Sequence, residues 1–470
     1  MAETRPPVRL TAAIVASAAG GRLRQGRADQ VVAGFTTDSR RIGRGQLFIA
    51  LRGERFDGAT FAAASLEAGA CGVLVPVATS VDAPEDAIVI EAPDTLLALQ
   101  NLGQYVRRQS GARVVAITGS AGKTSTKEAA ADFLTTRYTV YRNAGNLNNH
   151  IGLPLSLLEL ASHPDIAVVE LGMNHAGEIR RLVELSEPEV RVWTNVGDAH
   201  VGFFGSVEAI AEAKAEVLEG AGPMTRLVAN ADDALVMAHA GRFPGVTTTF
   251  GVDADADVRA VDVEDDGVRG TSSRLETPAG AVPLRVPLPG RGPLLNVLAA
   301  AAVALAFDVP LDQIASRAAT LAAAPRRGQV IELGRGVTLV DDSYNSSPAA
   351  LSRALDALAA TTPEGRRIAA LGEMRELGDL SIALHEDSGR RAVHAGVERL
   401  IAVGGDSAKA LADAAIASGL APDRVSHFTT STDAADSIAA LLAPGDIILV
   451  KGSRGTRMDI VADRVKQEWA

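Results

Sequence analysis

Thr118-Gly119-Ser120-Ala121-Gly122-Lys123-Thr124-Ser125-Thr126 is the stretch from which the rest of the chain can be read. An apolar run, Val114-Val115-Ala116-Ile117, leads into it, and a helical pattern from Thr124 through Leu134 leaves it. Glycines let successive backbone N–H groups curl round an anion without Cβ clashes, and the helix N-terminus adds its dipole. Lys123 can reach terminal phosphates, and Thr124 or Ser125 can hold Mg²⁺. Only two residues separate Gly119 from Gly122, so the loop is shorter than the standard G-x-x-x-x-G-K-[ST]. The bland alternative is a Gly-rich turn without a ligand. Gly-Lys-Thr between a strand and a helix favours a nucleotide loop made of Gly119, Ser120, Ala121, Gly122, Lys123, Thr124 and Ser125.

The alternation of strand and helix extends on either side. Residues 111–320 carry apolar runs at 113–118, 166–171, 190–195 and 226–230 with helical patterns between them. That is the pattern of a mostly parallel sheet covered on both faces. Residues 251–290, rich in Val, Asp and Gly without helical period, read as an antiparallel excursion. Residues 1–110 read as a small α/β unit with strands at 31–35, 46–50, 72–75 and 87–90. Residues 321–470 resume the alternation in Rossmann-like fashion, with strands near 337–340, 368–371, 400–403 and 447–450. The expected fold class is therefore α/β in three domains, 1–110, 111–320 and 321–470, with linkers near 105–112 and 318–328.

Composition fits this. The chain has 470 residues, 47% apolar and 22% charged, which excludes a disordered or fibrous protein. A net charge of −11 gives no global attraction for nucleic acid or anionic lipid, so anionic ligands need local basic sites. One cysteine, Cys71, permits neither an intrachain disulfide nor a thiolate zinc cluster and fits a reducing cytoplasm. The apolar run at 297–307 is too short to span a bilayer and reads as a buried helix. The weakly apolar stretch at 10–16 reads as a first amphipathic helix ending at Gly20-Gly21 rather than as a signal peptide.

Ligands in open parallel sheets sit beyond the carboxyl ends of strands. Glu170 lies at such an end and offers hard oxygens to Mg²⁺, or is simply a core-edge carboxylate. His200 ends the next strand region, with Asp198 as a competing ligand. Lys214 falls on the apolar stripe of a helix near 206–219, at i+4 from Ile210. Pattern alone favours its snorkelling to solvent.

Together these segments resemble the Mur ligase superfamily, ATP-dependent ligases that join an amino group to a carboxylate in peptidoglycan precursors. The likeness covers essentially the whole chain. It rests on the phosphate loop and on six other landmarks: Thr37-Asp38-Ser39-Arg40 with Leu47–Gly53 and Asp57-Gly58; Asn146-Leu147-Asn148-Asn149-His150-Ile151-Gly152-Leu153-Pro154; Glu170-Leu171-Gly172-Met173 with Gly177-Glu178-Ile179; Ala199-His200 through Phe204-Gly205-Ser206 to Ala213-Lys214; Asp341-Asp342-Ser343-Tyr344-Asn345-Ser346-Ser347-Pro348; and Leu371–Gly378 with Lys451-Gly452-Ser453-Arg454. The third, sixth and seventh landmarks in chain order are most similar to the branch that adds D-alanyl-D-alanine to UDP-N-acetylmuramoyl-tripeptide.

The resemblance implies an N-terminal domain that holds the UDP-sugar, with Ser39 and Arg40 in that region. It places Lys123 on ATP phosphates, Thr124 or Ser125 on one Mg²⁺, and Glu170 and His200 on a second. Lys214 would be carbamylated and so become an anionic ligand. Asn296 would meet adenine, Arg327 phosphate, Asp342 the ribose, and Tyr344 would stand near the transferring phosphate. Asn148, Asn149 and Asn345 would face the peptide substrates. A cytoplasmic monomer acting on small molecules is implied, without nucleic acid or membrane insertion. Two departures stand out. Gly292-Pro293 occurs where the family shows His-Asn, and Ser346-Ser347 where it shows Ala-Asn. Arg326 and Arg327 also compete for one role. A P-loop kinase or GTPase is the rival outside the family, and it would need a longer loop and a base-reading motif.

Overall fold

The structure, a computed structural model, describes residues 7–53, 56–199 and 201–470. The chain divides into two compact units, Met1–Ile117 with Arg137–Arg191 and Thr118–Thr136 with Val192–Ala470.

In the first unit, strands β1 (Arg22–Gln25), β2 (Gly34–Thr36), β3 (Gln46–Ile49), β4 (Gly72–Pro76) and β5 (Ile88–Ala92) form a sheet in the order β1-β5-β4-β3-β2. Phe48, Val73, Val75 and Val89 line one face and pack on Ala62 and Leu66 of the helix Ala62–Glu67. The strand expected at 31–35 is shorter and later than the pattern suggests. Val31 makes only an isolated bridge to Thr11 and is 49% exposed, so pairing begins at Gly34.

The expected linker at 105–112 is also corrected. The helix Thr95–Ser110 runs through it, with Leu99, Leu102 and Val106 buried at helical spacing. The basic residues that look like a linker are occupied. Arg107 donates to the carbonyls of Ser186 (2.7 Å) and Glu187 (2.9 Å), and Arg108 pairs with Glu187. Gly111, at φ 66°, ends the helix in the left-handed region that glycine tolerates.

Strands β6 (Arg113–Thr118), β7 (Val140–Arg142), β8 (Ile166–Glu170), β9 (Val190–Trp193), β10 (Arg226–Asn230), β11 (Val246–Gly251), β12 (Val258–Asp265), β13 (Thr271–Thr277) and β14 (Gly280–Val286) belong to one sheet, ordered β14-β13-β12-β11-β10-β9-β6-β8-β7. Within the first unit β6, β8 and β7 pair in parallel, and β8 is buried along its whole length. Uniform burial explains the unbroken apolar runs that the sequence shows there. Within the second unit β10, β11 and β12 are parallel, and the 251–290 excursion appears as antiparallel β12, β13 and β14. The apolar run at 297–307 forms most of the helix Arg291–Ala306, buried from Val297 to Ala304.

Residues 319–328, in the stretch expected to be a linker, carry neither helix nor strand. Beyond them β15 (Gln329–Glu332), β16 (Thr338–Asp342), β17 (Arg367–Gly372), β18 (Arg399–Val403), β19 (Val425–Phe428) and β20 (Ile447–Lys451) form a sheet ordered β15-β16-β20-β17-β18-β19. All of it is parallel except β15. Returning β20 between β16 and β17 opens a crevice at their carboxyl ends, where such sheets bind ligands.

Candidate nucleotide and ligase site

The phosphate loop lies between β6 and the helix Lys123–Leu134. Gly119 has φ 150° and Gly122 φ 83°, and a Cβ on either would collide, with Thr194 Oγ1 and Asn296 Oδ1 respectively. Both glycines are therefore required twice, by backbone angle and by space.

The segment leaving β9 braces the loop. Asn195 accepts the Ala121 N–H at Oδ1 (2.8 Å) and donates from Nδ2 to the Ala121 carbonyl (3.0 Å). Thr194 Oγ1 donates to the same carbonyl at 2.8 Å. Ser120 donates its N–H to the Asn195 carbonyl (3.0 Å), and its hydroxyl oxygen accepts the Gly197 N–H (2.9 Å). Asp233 fixes the brace in turn, since one oxygen accepts the Val196 N–H (2.7 Å) and the other caps the helix Ala234–Ala240. Thr194, Asn195 and Asp233 are positioning residues that the sequence reading passed over. Their signal was present, because Thr194-Asn195 directly follows a strand end in the sheet that carries the loop.

Lys123 Nζ donates to the Gly119 carbonyl at 2.7 Å, so its ammonium lies over its own loop, where a phosphate would compete for it. Thr124 is 9% exposed. Asn296 sits against Gly122 and meets Thr126 Oγ1 at 3.4 Å, which puts it at the junction of loop and helix.

Lys214 corrects the pattern-based expectation. It does not snorkel, being 2% exposed on the helix Val207–Ala215. Burial, and secondarily the charge of Lys123, holds its amine well below the ordinary lysine range. No acidic side chain pairs with it among the described residues. His200 lies outside the described residues.

In the first unit Glu170 ends β8 opposite Ile117, the residue before the loop, and is 4% exposed. Its Oε1 accepts from Asn148 Nδ2 at 2.7 Å, and its N–H donates to Asn143 Oδ1 at 3.1 Å. Asn149 accepts the N–H groups of Ile151 and Gly152 and so starts the helix Gly152–Leu158. Arg40 is paired with Asp38, whose carboxyl it holds down at about 2, and Ser39 is half-buried beside them.

At the C-terminal crevice Lys451 Nζ donates to Asp342 at 2.6 Å and to the Asn345 carbonyl at 3.0 Å. Burial pushes the Asp342 carboxyl up, and Lys451 and Arg327 pull against it. The two competing arginines separate cleanly. Arg326, at φ 62°, is neutralised by Asp459 (2.8 Å) and Asp463 (2.9 Å). Arg327 instead lays its guanidinium over the Tyr344 ring, 4.0 Å from the centroid. Loop and crevice meet at Gly197, where a Cβ would stand 3.8 Å from both Ser120 Cβ and Ala349 Cβ. The Gly202 N–H also donates to the Glu376 carbonyl at 2.9 Å.

A braced loop at a helix N-terminus, a buried amine beside its lysine and a crevice with basic residues make an arrangement suited to activating an acid with a nucleoside triphosphate. Family models place the chain on the same ground. The Mur ligase family catalytic domain matches residues 31–119, the Mur ligase middle domain 117–304, and the Mur ligase glutamate ligase domain 326–454. The chain belongs to the Mur ligase family. The UDP-N-acetylmuramoyl-tripeptide–D-alanyl-D-alanine ligase of Escherichia coli K12 is 38% identical over 94% of this chain and 95% of its own. The Bacillus subtilis enzyme of the same name is 34% identical over 93% and 94%. Among solved structures, MurF from Acinetobacter baumannii is 31% identical with a TM-score of 0.87, covering 98% of this chain and 100% of its own. The MurF ligase of Thermotoga maritima, solved in complex with ADP, is 28% identical with a TM-score of 0.80, covering 93% and 98%.

Proposed function

We propose that this protein joins the amine of D-alanyl-D-alanine to the terminal carboxylate of UDP-N-acetylmuramoyl-tripeptide, converting ATP to ADP and phosphate. The observation that carries this reading is the approach of the braced loop to Ala349, in the first turn of the helix Pro348–Ala360, across Gly197. It brings an ATP-phosphate cradle and the strand-end crevice of the C-terminal sheet to one place. The names of the relatives supply the substrates.

The reaction runs in two steps. A carboxylate oxygen of the tripeptide attacks the γ-phosphorus and gives an acyl phosphate and ADP. The dipeptide amine then attacks the acyl carbon, loses a proton, and the tetrahedral intermediate expels phosphate. Carboxylate and triphosphate repel each other, so the first step needs positive charge held in place. Lys123, moving from the Gly119 carbonyl to phosphate, and Arg327, stacked on Tyr344, supply it. The backbone N–H groups of 119–124 hold the phosphates. Asp342 accepts from the ribose and Asn296 contacts the adenine. Tyr344 stands by the transferring phosphate.

The donors suit Mg²⁺, which prefers hard oxygen ligands. Thr124 and Ser125 bring hydroxyls and Glu170 a buried carboxylate steadied by Asn148. Burial holds the Lys214 amine well below the ordinary lysine range, which favours its addition to CO₂, and a carbamate there would add a second anionic donor to Glu170. The family resemblance assigns His200 to a second Mg²⁺. Mg²⁺ held by donors of this kind would draw charge from the triphosphate. Ser39, Arg40, Asn148, Asn149 and Asn345 serve the peptide substrates. We assign 1–110 to the UDP-sugar and 111–320 to ATP, and read 321–470 as the C-terminal Rossmann-like ligase domain, in a cytoplasmic monomer. Among the described residues no helix is long and apolar enough to cross a membrane.

The test is an acceptor screen on purified protein with ATP and Mg²⁺, using tripeptides ending in meso-diaminopimelate and in L-lysine. Phosphate release should require a tripeptide and D-alanyl-D-alanine together. Release with a single amino acid in place of the dipeptide would move the protein to another branch of the family.

A further inference from the structure

The helix Arg291–Ala306 begins where this chain departs from its family, with Gly292-Pro293 in place of His-Asn. Gly292 stands one turn before Asn296, about 6 Å back along the helix and on the same face. Arg353, on the helix Pro348–Ala360, fills the space that a side chain at 292 would take. A Cβ on Gly292 would stand 3.2 Å from Arg353 Cδ and 3.5 Å from its Nε. One turn on from Arg353, Ala357 packs on the same helix start, where a Cβ on Gly290 would stand 2.8 Å from the Ala357 Cβ. Glycine weakens a helix, and here it makes room for the arginine.

Arg353 is half-buried, and its guanidinium makes no ion pair and no hydrogen bond among the described residues. Two carboxylates act on it through their charge, Asp356 and Asp342, and both are engaged elsewhere. Asp356 pairs with Arg391 at 3.8 Å and Asp342 with Lys451 at 2.6 Å. Burial holds the Arg353 guanidinium below its ordinary value. The helix N-terminus beside it carries positive partial charge, which repels a cation. Arg291, at the same terminus, is paired with Asp253 at 3.0 Å. Packing alone does not account for a cation at 353, because a hydrocarbon side chain would fill the same space without the repulsion.

In the nucleotide reading the phosphates lie on the loop that Asn296 abuts at Gly122, and Asp342 takes the ribose. Arg353 is tied to both places. It packs one helical turn from Asn296, and it feels the charge of Asp342. A guanidinium plane stacks on the face of an aromatic ring, and its N–H groups can donate to ring nitrogens. Resting on that reading, we propose that Arg353 binds the adenine base of ATP, in the space left by the histidine that the family shows at 292. Two helices then hold the base, one through Asn296 and the other through Arg353.

The experiment measures the calorimetric Kd for ADP, KM for each substrate, and the Ki of inorganic tripolyphosphate, which has no base. The proteins are wild type, Arg353→Ala, Arg353→Lys, Gly292→His and the double variant Gly292→His with Arg353→Ala. Arg353→Ala should weaken ADP and raise KM for ATP by about 5- to 30-fold, the worth of a guanidinium on a partly desolvated aromatic face. KM for tripeptide and dipeptide, the tripolyphosphate Ki and the melting temperature should stay in place. Arg353→Lys, which keeps the charge but loses the plane, should fall between. Gly292→His alone crowds Arg353 and should not strengthen ADP, whereas in the Arg353→Ala background it should recover most of the lost affinity. The proposal is overturned if Arg353→Ala and Arg353→Lys both bind ADP as wild type does, or if tripolyphosphate is weakened as much as ADP, or if Gly292→His restores nothing to Arg353→Ala. A wild type that binds no ADP would overturn the nucleotide reading itself.

Discussion

The two ends of the C-terminal sheet are built from the same residue types and do opposite things. At the amino ends of β17 and β20, Arg366 grips Asp446 through Nε (3.1 Å) and a terminal nitrogen (2.6 Å). It also donates to the Leu441 carbonyl at 2.8 Å. Asp446, 1% exposed, accepts the N–H groups of Arg366 and Ala443 as well. Arg367 beside it spends its guanidinium on the carbonyls of Leu358 and Thr361. At the carboxyl ends Arg327, Arg375 and Arg454 make no ion pair of that kind among the described residues, and Arg327 acts on Asp342 only through its charge. Paired charge holds the sheet together at one end, and the other end keeps positive charge outside ion pairs among the described residues. In the phosphate loop the backbone is braced by Asn195 and Thr194, while Lys123 donates to the Gly119 carbonyl.

That contrast can be broken by substitution. Lys123→Ala should cost at least about 10²–10³-fold in ATP-dependent phosphate release with an unchanged melting temperature. Wild-type turnover in this variant would remove the loop from the chemistry. Lys214→Ala should fall nearly as far, and acetate added to the assay should restore part of the rate by standing in for the carbamate. Full activity without it would make Lys214 a packing residue. Asp446→Ala should do the reverse, lowering unfolding free energy by about 3 kcal/mol while the folded enzyme keeps its turnover, because it strands Arg366. Denaturant titration with a parallel assay reads both. Asn195→Ala removes two hydrogen bonds from the Ala121 peptide and should raise KM for ATP by about tenfold. An unchanged KM would mean that Thr194 holds the loop alone.

The smallest effect is one of pH. Arg366, with the N–H donors of Arg366 and Ala443, holds the Asp446 carboxyl below its usual value against the opposing effect of burial. A depressed folded-state pKa stabilises fully above the unfolded value, about 3.9, and that stability is lost as pH falls through the folded value. The gap in melting temperature between wild type and Asp446→Asn should therefore be constant near neutrality and narrow below about pH 4. A gap that widens on acidification would reverse the assignment.

Much of this was legible in the sequence where burial is uniform. β6 and β10 run over the residues their apolar patterns mark, because both faces are covered. The signal failed where charged side chains serve structure. Arg107 and Arg108 made a buried helix end look like a linker, because the carbonyls and carboxylate they satisfy lie 79 or more residues further along the chain. Lys214 looked like a snorkelling lysine because periodicity gives the face a residue occupies, not whether solvent lies within its reach. The phosphate loop needed no tertiary information, since its glycines, lysine and helix are contiguous. Its brace did, because Asn195 and Asp233 come together only through the order of β6, β9 and β10. Arg326 and Arg327 are adjacent in sequence, and only the placement of Asp459 and Asp463 tells them apart.

The most direct measurement follows oxygen. Tripeptide labelled with ¹⁸O in its terminal carboxylate, turned over with ATP and D-alanyl-D-alanine, should transfer one labelled oxygen to each phosphate released, because an acyl phosphate breaks at its carbonyl carbon. Phosphate released without label would contradict activation of the acid by the nucleotide on the Gly119–Thr124 loop.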